Sequence, residues 1–586
     1  MLDIQAERLA ELSEDWLGRF ERALGTADPA AIAGLFADES YWRDAVAFTW
    51  TLRTVEGRDA IGLALAEHAA GAGATAFRLH PRRIAPVQVV RAGTDCIESF
   101  FTFETATGRG EGVLRLTPDA TGRFRAWTLL TALDQIKGHE ERAGRNRPRG
   151  QSYSRDFSGP NWADKRRAAE AYSDRDPAVL VVGGGQAGLA IAARLTVLGI
   201  DTLIVDRAAR VGDNWRKRYH ALTLHNQVQV NHLPYMPFPP SWPTYIPKDM
   251  LADWFEVYAR AMELNFWTGT DFLGGEYDQA SGHWTVRLRL PDCAERVMRP
   301  RHVVLATGVS GIPNRPLIPT LDAFAGPVLH STEYTDGDDW TGRSAIVIGT
   351  GNSGHDIAQD LHSSGGRVTV VQRSPTLIVN IEPSAQLPYS LYDEGPSLEE
   401  CDLIVTGTPF PLVRRAHVAF TKKAREIDRP LLDRLEGRGF ELDFGHDGSG
   451  WQFKYLERGG GYYFNVGCSD LIAEGRVGLV QFADIERFEA GGARLADGSL
   501  VPADVVVLAT GYKGQEHLVD RLFGPEVAAR VGPIWGFGEG NELRNMFVAT
   551  GQPGLWFIAG SLAQCRIFSK YLALQIKARE AGLVPA

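Results

Sequence analysis

Apolar residues Leu9, Leu12, Trp16, Phe20 and Leu24 recur at spacings of three and four, which predicts one apolar face of a helix over 5–24. Asp28-Pro29 then supplies an N-cap and first helical position for a second helix carrying Ile32, Leu35 and Phe36. A third helix is predicted near 59–69. From about 77 the period changes, and strands are predicted over 77–84, 94–104, 110–116 and 124–132, separated by Gly-rich or Asp/Gly turns. Helices followed by an antiparallel meander make an α+β domain of their own over 1–137. From 138 to 177 apolar positions are sparse and charged residues dense, including the basic cluster Arg142–Arg149. This reads as a linker with a short helix over 163–172.

The pattern then changes again. Val179-Leu180-Val181-Val182 is a short, wholly apolar run, followed by Gly183-x-Gly185-x-x-Gly188 and an Ala-rich helical stretch. The first glycine permits a tight turn, the second lets a pyrophosphate approach the backbone, and the third packs helix on strand. The amides at the start of the helix then face the phosphates. A second apolar run, 202–205, ends in Asp206, where a carboxylate can bind a ribose hydroxyl. Together these form a dinucleotide-binding βαβ unit in which Gly183, Gly185, Gln186, Ala187, Gly188, Asp206 and Arg207 are the candidate contacts. Trp215 lies in the loop that follows. The arrangement repeats at Ala345-Ile346-Val347-Ile348 with Gly349-x-Gly351-x-x-Gly354, where Asn352 and Ser353 join the candidate contacts. Its next strand ends in Gln372-Arg373-Ser374. A guanidinium and a hydroxyl there suit a ribose 2′-phosphate, which favours NADP over NAD.

The resemblance to a known family rests on three features. Leu233-Pro234-Tyr235-Met236-Pro237-Phe238-Pro239 follows the aromatic loop, Phe324-x-Gly326-x-x-x-His330-x-x-x-Tyr334 lies between the two glycine motifs, and Ala-Thr-Gly recurs at 306–308 and 509–511. In these the chain, over about 178–586, resembles the flavin-containing monooxygenases, a class B flavoprotein group, and in layout its members with a long N-terminal extension. The N-terminal region resembles, in element order and size alone, the cone-shaped polyketide-cyclase-like and nuclear-transport-factor-like folds. Trp42, Asp44 and His68 either line a pocket in such a cone or serve as core aromatic, turn acid and surface histidine.

The resemblance implies an α/β protein with two Rossmann-like domains. The FAD domain spans 178–340 and 485–586, and the NADP domain spans 341–484 with an insertion. It also implies FAD and NADPH as cofactors, and transfer of one atom of O2 to a small organic substrate through a C4a-peroxyflavin. Thr510 and Gly511 join the expected cofactor contacts. Asn226, His330 and Tyr334 are the expected active-site residues, with His330 read as organising the link between domains. Baeyer–Villiger families usually carry Trp where Tyr334 stands, which points to heteroatom oxygenation, yet long-extension members include ketone oxidisers. Both substrate classes stay open. A flavin-dependent NADPH oxidoreductase or oxidase without oxygen insertion, and a non-catalytic redox sensor, are the alternative readings.

Bulk properties fit a globular enzyme. The 586 residues carry 62 basic and 72 acidic side chains, a balance of −10 that argues against a nucleic-acid groove. No apolar run approaches the ~18 residues of a membrane span, and a cytoplasmic location is expected, with a homodimer kept as an expectation. The five cysteines include no Cys-x-x-Cys pair, which argues against both a zinc site and disulfide-reductase chemistry.

Overall fold

The computed structural model describes residues 2–148, 158–309, 311–393 and 395–585; Arg149 and the linker positions to 157 lie outside them. The chain opens with helix Leu2–Thr26, whose Trp16, Leu17, Phe20 and Leu24 are buried. The Asp28 side chain accepts the Ala30 amide, and Pro29 begins the second helix. A third helix follows at Arg58–Ala72.

The sheet of this first domain has seven strands. Its order is Leu52–Glu56, Phe36–Ala45, Phe124–Ile136, Gly108–Pro118, Thr94–Glu104 and Thr75–Leu79, with Val87–Arg91 paired to Thr94–Glu104. It is therefore not the four-stranded meander expected. Strands Phe36–Ala45, Leu52–Glu56 and Val87–Arg91 lie outside the four predicted, and Phe36–Ala45 pairs in parallel with Phe124–Ile136. Strand Phe36–Ala45 reads as polar because it carries Arg43 and Asp44, both buried, the first satisfied by the distant Glu542 and Thr406 and the second mostly by the loop that follows it. Asp44 accepts the amides of Phe48 and Thr49 and the hydroxyls of Thr49 and Thr131, closing a tight loop. Trp42 is a core residue that donates to Thr131 at 2.9 Å, and His68 contacts Arg53 on the domain's flank. The cone is packed with aromatic rings, among them Trp16 stacked on Phe20 at 4.9 Å and Phe77 stacked on Phe103 at 5.1 Å. Trp42 and Asp44 are thus buried within it, and His68 is half-buried at its flank.

Beyond helix Trp162–Ala171 the chain builds two parallel sheets. The first has the order Asn265–Trp267, Thr202–Val205, Val179–Val182, His302–Leu305, Leu555–Phe557. The second has the order Val328–His330, Val505–Leu508, Ser344–Ile348, Arg367–Gln372, Gly478–Gln481. The second sheet thus draws on strands outside the expected 341–484 span. Strand Leu555–Phe557 returns to the first sheet before the terminal helix Leu562–Glu580, which packs on helix Gln186–Val197. Where the chain crosses between the sheets, Ile312–Pro313 pairs antiparallel with Tyr512–Lys513.

Candidate active site

Both glycine loops are built the same way. Gly183 has φ +107° and Gly349 φ +121°, a region that favours glycine. A Cβ on Gly183 would stand 2.6 Å from the Ala306 carbonyl oxygen, and one on Gly349 2.3 Å from that of Ala509. Each Ala-Thr-Gly segment is thus the wall against which a glycine turn closes. At the third glycine of each motif, a Cβ would sit 1.9 Å (Gly188) or 2.0 Å (Gly354) from the carbonyl of the first, so helix and turn are in contact.

The middle glycines behave differently. A Cβ on Gly351 would have nothing nearer than 3.8 Å, and one on Gly185 would meet only the Asn214 side-chain amide. Helices Gln186–Val197 and Asn352–Ser363 both start at these glycines without any side-chain cap, whereas Trp162–Ala171, Leu398–Thr406 and Leu562–Glu580 each carry a full capping box. The unclaimed first-turn amides and open middle glycine make an anion cradle at each sheet's C-terminal edge. Near the first, the buried Trp215 indole nitrogen has no partner among the described residues. The chemistry present therefore fits a dinucleotide pyrophosphate at both loops.

Asp206 stands at the strand end as expected, accepting the Gly184 amide at 2.6 Å and the Ala208 amide at 2.7 Å; a carboxylate retains acceptor capacity beyond these two. Gln186 donates to the Gly560 carbonyl at 3.2 Å, and Arg207 is exposed. On the second loop, Asn352 accepts the Phe464 amide at 3.0 Å while Ser353 stays half-buried. Arg373 and Ser374 are exposed at the end of the next strand.

The residues of the Phe324 to Tyr334 pattern have structural partners. A Cβ on Gly326 would meet the Asp504 carbonyl at 2.6 Å and the Phe324 ring. The fully buried His330 places Nδ1 2.9 Å from the Thr332 hydroxyl and Nε2 3.2 Å from the Gly511 carbonyl oxygen. Desolvation lowers its pKa despite that carbonyl. Tyr334 donates to Asp360 at 2.6 Å, and burial followed by this carboxylate raises its pKa. Thr510 donates to the Asn314 carbonyl at 2.6 Å, beside the crossing ribbon. The polar atoms of His330 and Tyr334 are thus engaged within the seam between the sheets.

Asn226 is placed differently. Its Nδ2 donates to the Tyr389 hydroxyl at 3.3 Å, at the edge of an aromatic group that sequence reasoning had not assembled. Tyr389 lies 5.8 Å from Trp451, which packs on Phe464 at 4.9 Å, and Phe464 contacts Tyr462 at 5.1 Å and His225 at 5.7 Å. Tyr389 and Tyr462 are deeply set yet only half-buried, and desolvation raises both phenols above their ordinary range. The group is tied to the second loop through Phe464 and Asn352. It reaches the first through Tyr455, whose hydroxyl donates to Gln564 in the capping box next to Gly560.

Residues 180–391 match a family model described as pyridine nucleotide-disulphide oxidoreductase. The chain is 30% identical over 362 residues to indole-3-pyruvate monooxygenase YUCCA1 of Oryza sativa subsp. japonica, covering 60% of this chain and 80% of the rice protein. It belongs to the class B flavoprotein monooxygenases. A probable indole-3-pyruvate monooxygenase YUCCA4 of Arabidopsis thaliana is 28% identical over 338 residues, 58% of this chain and 76% of that protein. The ε-caprolactone-bound cyclohexanone monooxygenase structure shares the fold, with a TM-score of 0.52 at 20% identity over 70% of this chain and 88% of that one. As a class B flavoprotein monooxygenase the chain uses FAD and NADPH, acts on a small molecule with O2, and transfers one oxygen atom to it. Its five cysteines are free. No helix among the described residues is long and apolar enough to cross a membrane.

Proposed function

We propose that the aromatic group bordered by Asn226 and Tyr389 is the substrate side of the site, and that the enzyme oxygenates both sulfides and ketones there. The observation that carries this reading is the position of the group, tied by Phe464–Asn352 to one glycine loop and by Tyr455–Gln564 to the other. Bound at the two loops, FAD supplies the oxygen-transfer chemistry and NADPH the electrons. The residues of the chain then bind, orient and exclude water. Gly185 and the first amides of helix Gln186–Val197 hold the FAD pyrophosphate, with Asp206 on its ribose and Trp215 beside it. Gly351 with Asn352 and Ser353 does the same for NADPH, and Arg373 with Ser374 binds its 2′-phosphate.

Asn226 and the Tyr389 hydroxyl offer a donor pair to a carbonyl or sulfur-borne oxygen, while Trp451, Tyr462 and Phe464 keep the cleft dry. His330 and Tyr334 hold the seam between the sheets. The ketone half is supported by reading Tyr334, whose hydroxyl donates to Asp360, as a residue of the seam and not a determinant of substrate class. The reading extends to a cytoplasmic enzyme, where unpaired thiols persist, and to a homodimer, which mass measurement in solution decides.

The test is turnover under 18O2 with NADPH and a panel of cyclobutanone, a larger cyclic ketone, an aryl methyl sulfide, a tertiary amine and indole-3-pyruvate. One labelled oxygen atom is expected in the sulfoxide and in the lactone. NADPH consumption that yields only hydrogen peroxide with every member would overturn the reading.

A further inference from the structure

Helix Leu398–Thr406 lies between the N-terminal cone and the terminal helix, and its C-terminal carbonyls have no partners within the helix. Gly407 and Thr408 donate to the carbonyls of Leu403, Ile404 and Val405, and two arginines of the cone add to this end. Arg115 donates to the carbonyls of Gly407 at 2.8 Å and Ile404 at 3.2 Å, and Arg43 donates to that of Thr406 at 2.8 Å. Both guanidiniums are almost wholly buried and carry their own counter-ions. Arg115 is paired with Glu98 at 2.8 Å, and Arg43 is paired bidentately with Glu542 at 2.8 and 2.7 Å. Positive charge at a helix C-terminus is favourable, and buried forks of this kind hold geometry tightly. The other end is gripped as well, since Glu400 of the capping box accepts the Ile84 amide at 2.8 Å.

From this helix the contacts run inward. Asp402 takes both Nε and Nη2 of Arg566 at 2.8 and 2.7 Å and accepts the Tyr392 hydroxyl at 3.0 Å. The remaining Nη1 of Arg566 donates to the carbonyls of Val230 at 2.7 Å and His232 at 2.9 Å. Those carbonyls belong to the loop that starts at Asn226, and within it the Asn231 side chain donates back to the Asn226 carbonyl at 3.0 Å. Tyr392 closes the same 384–392 segment that carries Tyr389. Both polar groups on the substrate side are therefore reached from one acid, Asp402, on a helix whose two ends the cone holds.

We propose that the N-terminal cone is a positioning domain for the substrate side of the site, acting through Arg43 and Arg115 on helix Leu398–Thr406 and thence through Asp402 and Arg566 on the 226–232 loop. This rests on the reading of Asn226 and Tyr389 given above. Arg43 and Arg115 touch neither glycine loop, so they act on substrate placement and not on nicotinamide or flavin binding.

The experiment uses the full-length, flavin-loaded enzyme with Arg43→Lys and Arg115→Lys, singly and together. Lysine keeps a charge beside Glu542 or Glu98 but lacks the fork that reaches the helix carbonyls. Amide hydrogen exchange at Val228, Val230 and Asn231 is expected to accelerate about tenfold in the double variant. Flavin reduction by NADPH without organic substrate should stay within about twofold of wild type, while product formed per NADPH falls at least about threefold and KM for the organic substrate rises. Exchange that quickens in 398–407 while 228–231 stays at the wild-type rate would overturn the proposal, as would unchanged coupling. Should the double variant not fold, Arg115→Lys alone is judged by the same exchange criterion. Because exchange is read without turnover, failure of oxygen transfer in the wild type would end the functional reading and leave this measurement decisive for the cone.

Discussion

Tyr334 donates to Asp360 Oδ2 at 2.6 Å, and the same oxygen accepts the Gly337 amide at 2.9 Å. Three segments meet at that carboxylate: the end of the Phe324 to Tyr334 pattern, the turn behind it and helix Asn352–Ser363. Removing the hydroxyl leaves the acid with one donor. Hydrogen bonds to charged groups are worth ~1.5–3 kcal/mol, and Gly337 remains in place, so Tyr334→Phe should lose about 1–2 kcal/mol in urea unfolding. The ratio of lactone to sulfoxide should stay as in wild type. A several-fold change in that ratio would show that Tyr334 acts on substrate.

Two glycines of the first loop should fail in different ways. Gly183→Ala forces a side chain into a positive-φ position and against the Ala306 carbonyl, and should fold poorly. Gly185→Val meets only the Asn214 side chain, which can move, so it should fold with a wild-type circular-dichroism spectrum. Its valine nevertheless stands where the pyrophosphate approaches the backbone. The purified protein should be colourless, and full flavin occupancy in this variant would refute the placement of FAD.

Arg373 is exposed at a strand end, so its replacement should cost little stability, within ±0.5 kcal/mol. Loss of a charge-assisted contact worth ~1.5–3 kcal/mol should lower kcat/KM for NADPH on the order of ten- to a hundredfold in Arg373→Ala. NADH should be affected much less. Steady-state kinetics with both cofactors checks this, and equal losses would assign the residue to structure.

Acid should destabilise the protein through a buried imidazole. His355 stacks on Tyr463 at 4.0 Å with its Nε2 unpartnered among the described residues, and burial holds its pKa down at about 4. Between the ordinary value of 6.5 and that value the unfolded chain binds the proton and the folded one does not. Stability therefore falls as pH drops through this window, by up to ~1.4 kcal/mol per pH unit for one such group. Urea midpoints between pH 7 and pH 4 should show a shallower decline in His355→Gln than in wild type. An identical slope would mean that the histidine is protonated in the fold.

The glycine loops could be read from sequence because everything that makes them is local: a four-residue apolar strand, a turn that needs positive φ, and a helix start without a cap. Asp28 as N-cap was legible for the same reason. Strand Phe36–Ala45 was hidden because Arg43 and Asp44 look solvent-facing until Glu542, Thr131 and the Phe48 amide are brought to them. The meeting of the aromatic group with Asn226 and Tyr389 was not legible for another reason. Asn226, Tyr389, Trp451, Tyr462 and Gln564 come from five separate stretches, and only the tertiary fold makes them neighbours. His330 and Tyr334 were visible as a pattern, but spacing does not reveal that their polar atoms are engaged by Gly511 and Asp360.

Synthesis proceeds from the N-terminus, so Arg115 leaves the ribosome 292 residues before Gly407, and Arg43 does so 499 residues before Glu542. During that interval Arg43 is a cation whose destined partners have not yet been made, while Arg115 already has Glu98 beside it. Exposed positive charge keeps a nascent surface wetted and discourages it from sticking to other emerging chains, a hazard for large proteins that assemble unit by unit. Arg43, which later meets a buried helix end, thus adds charge to the unfinished face until Glu542 is made.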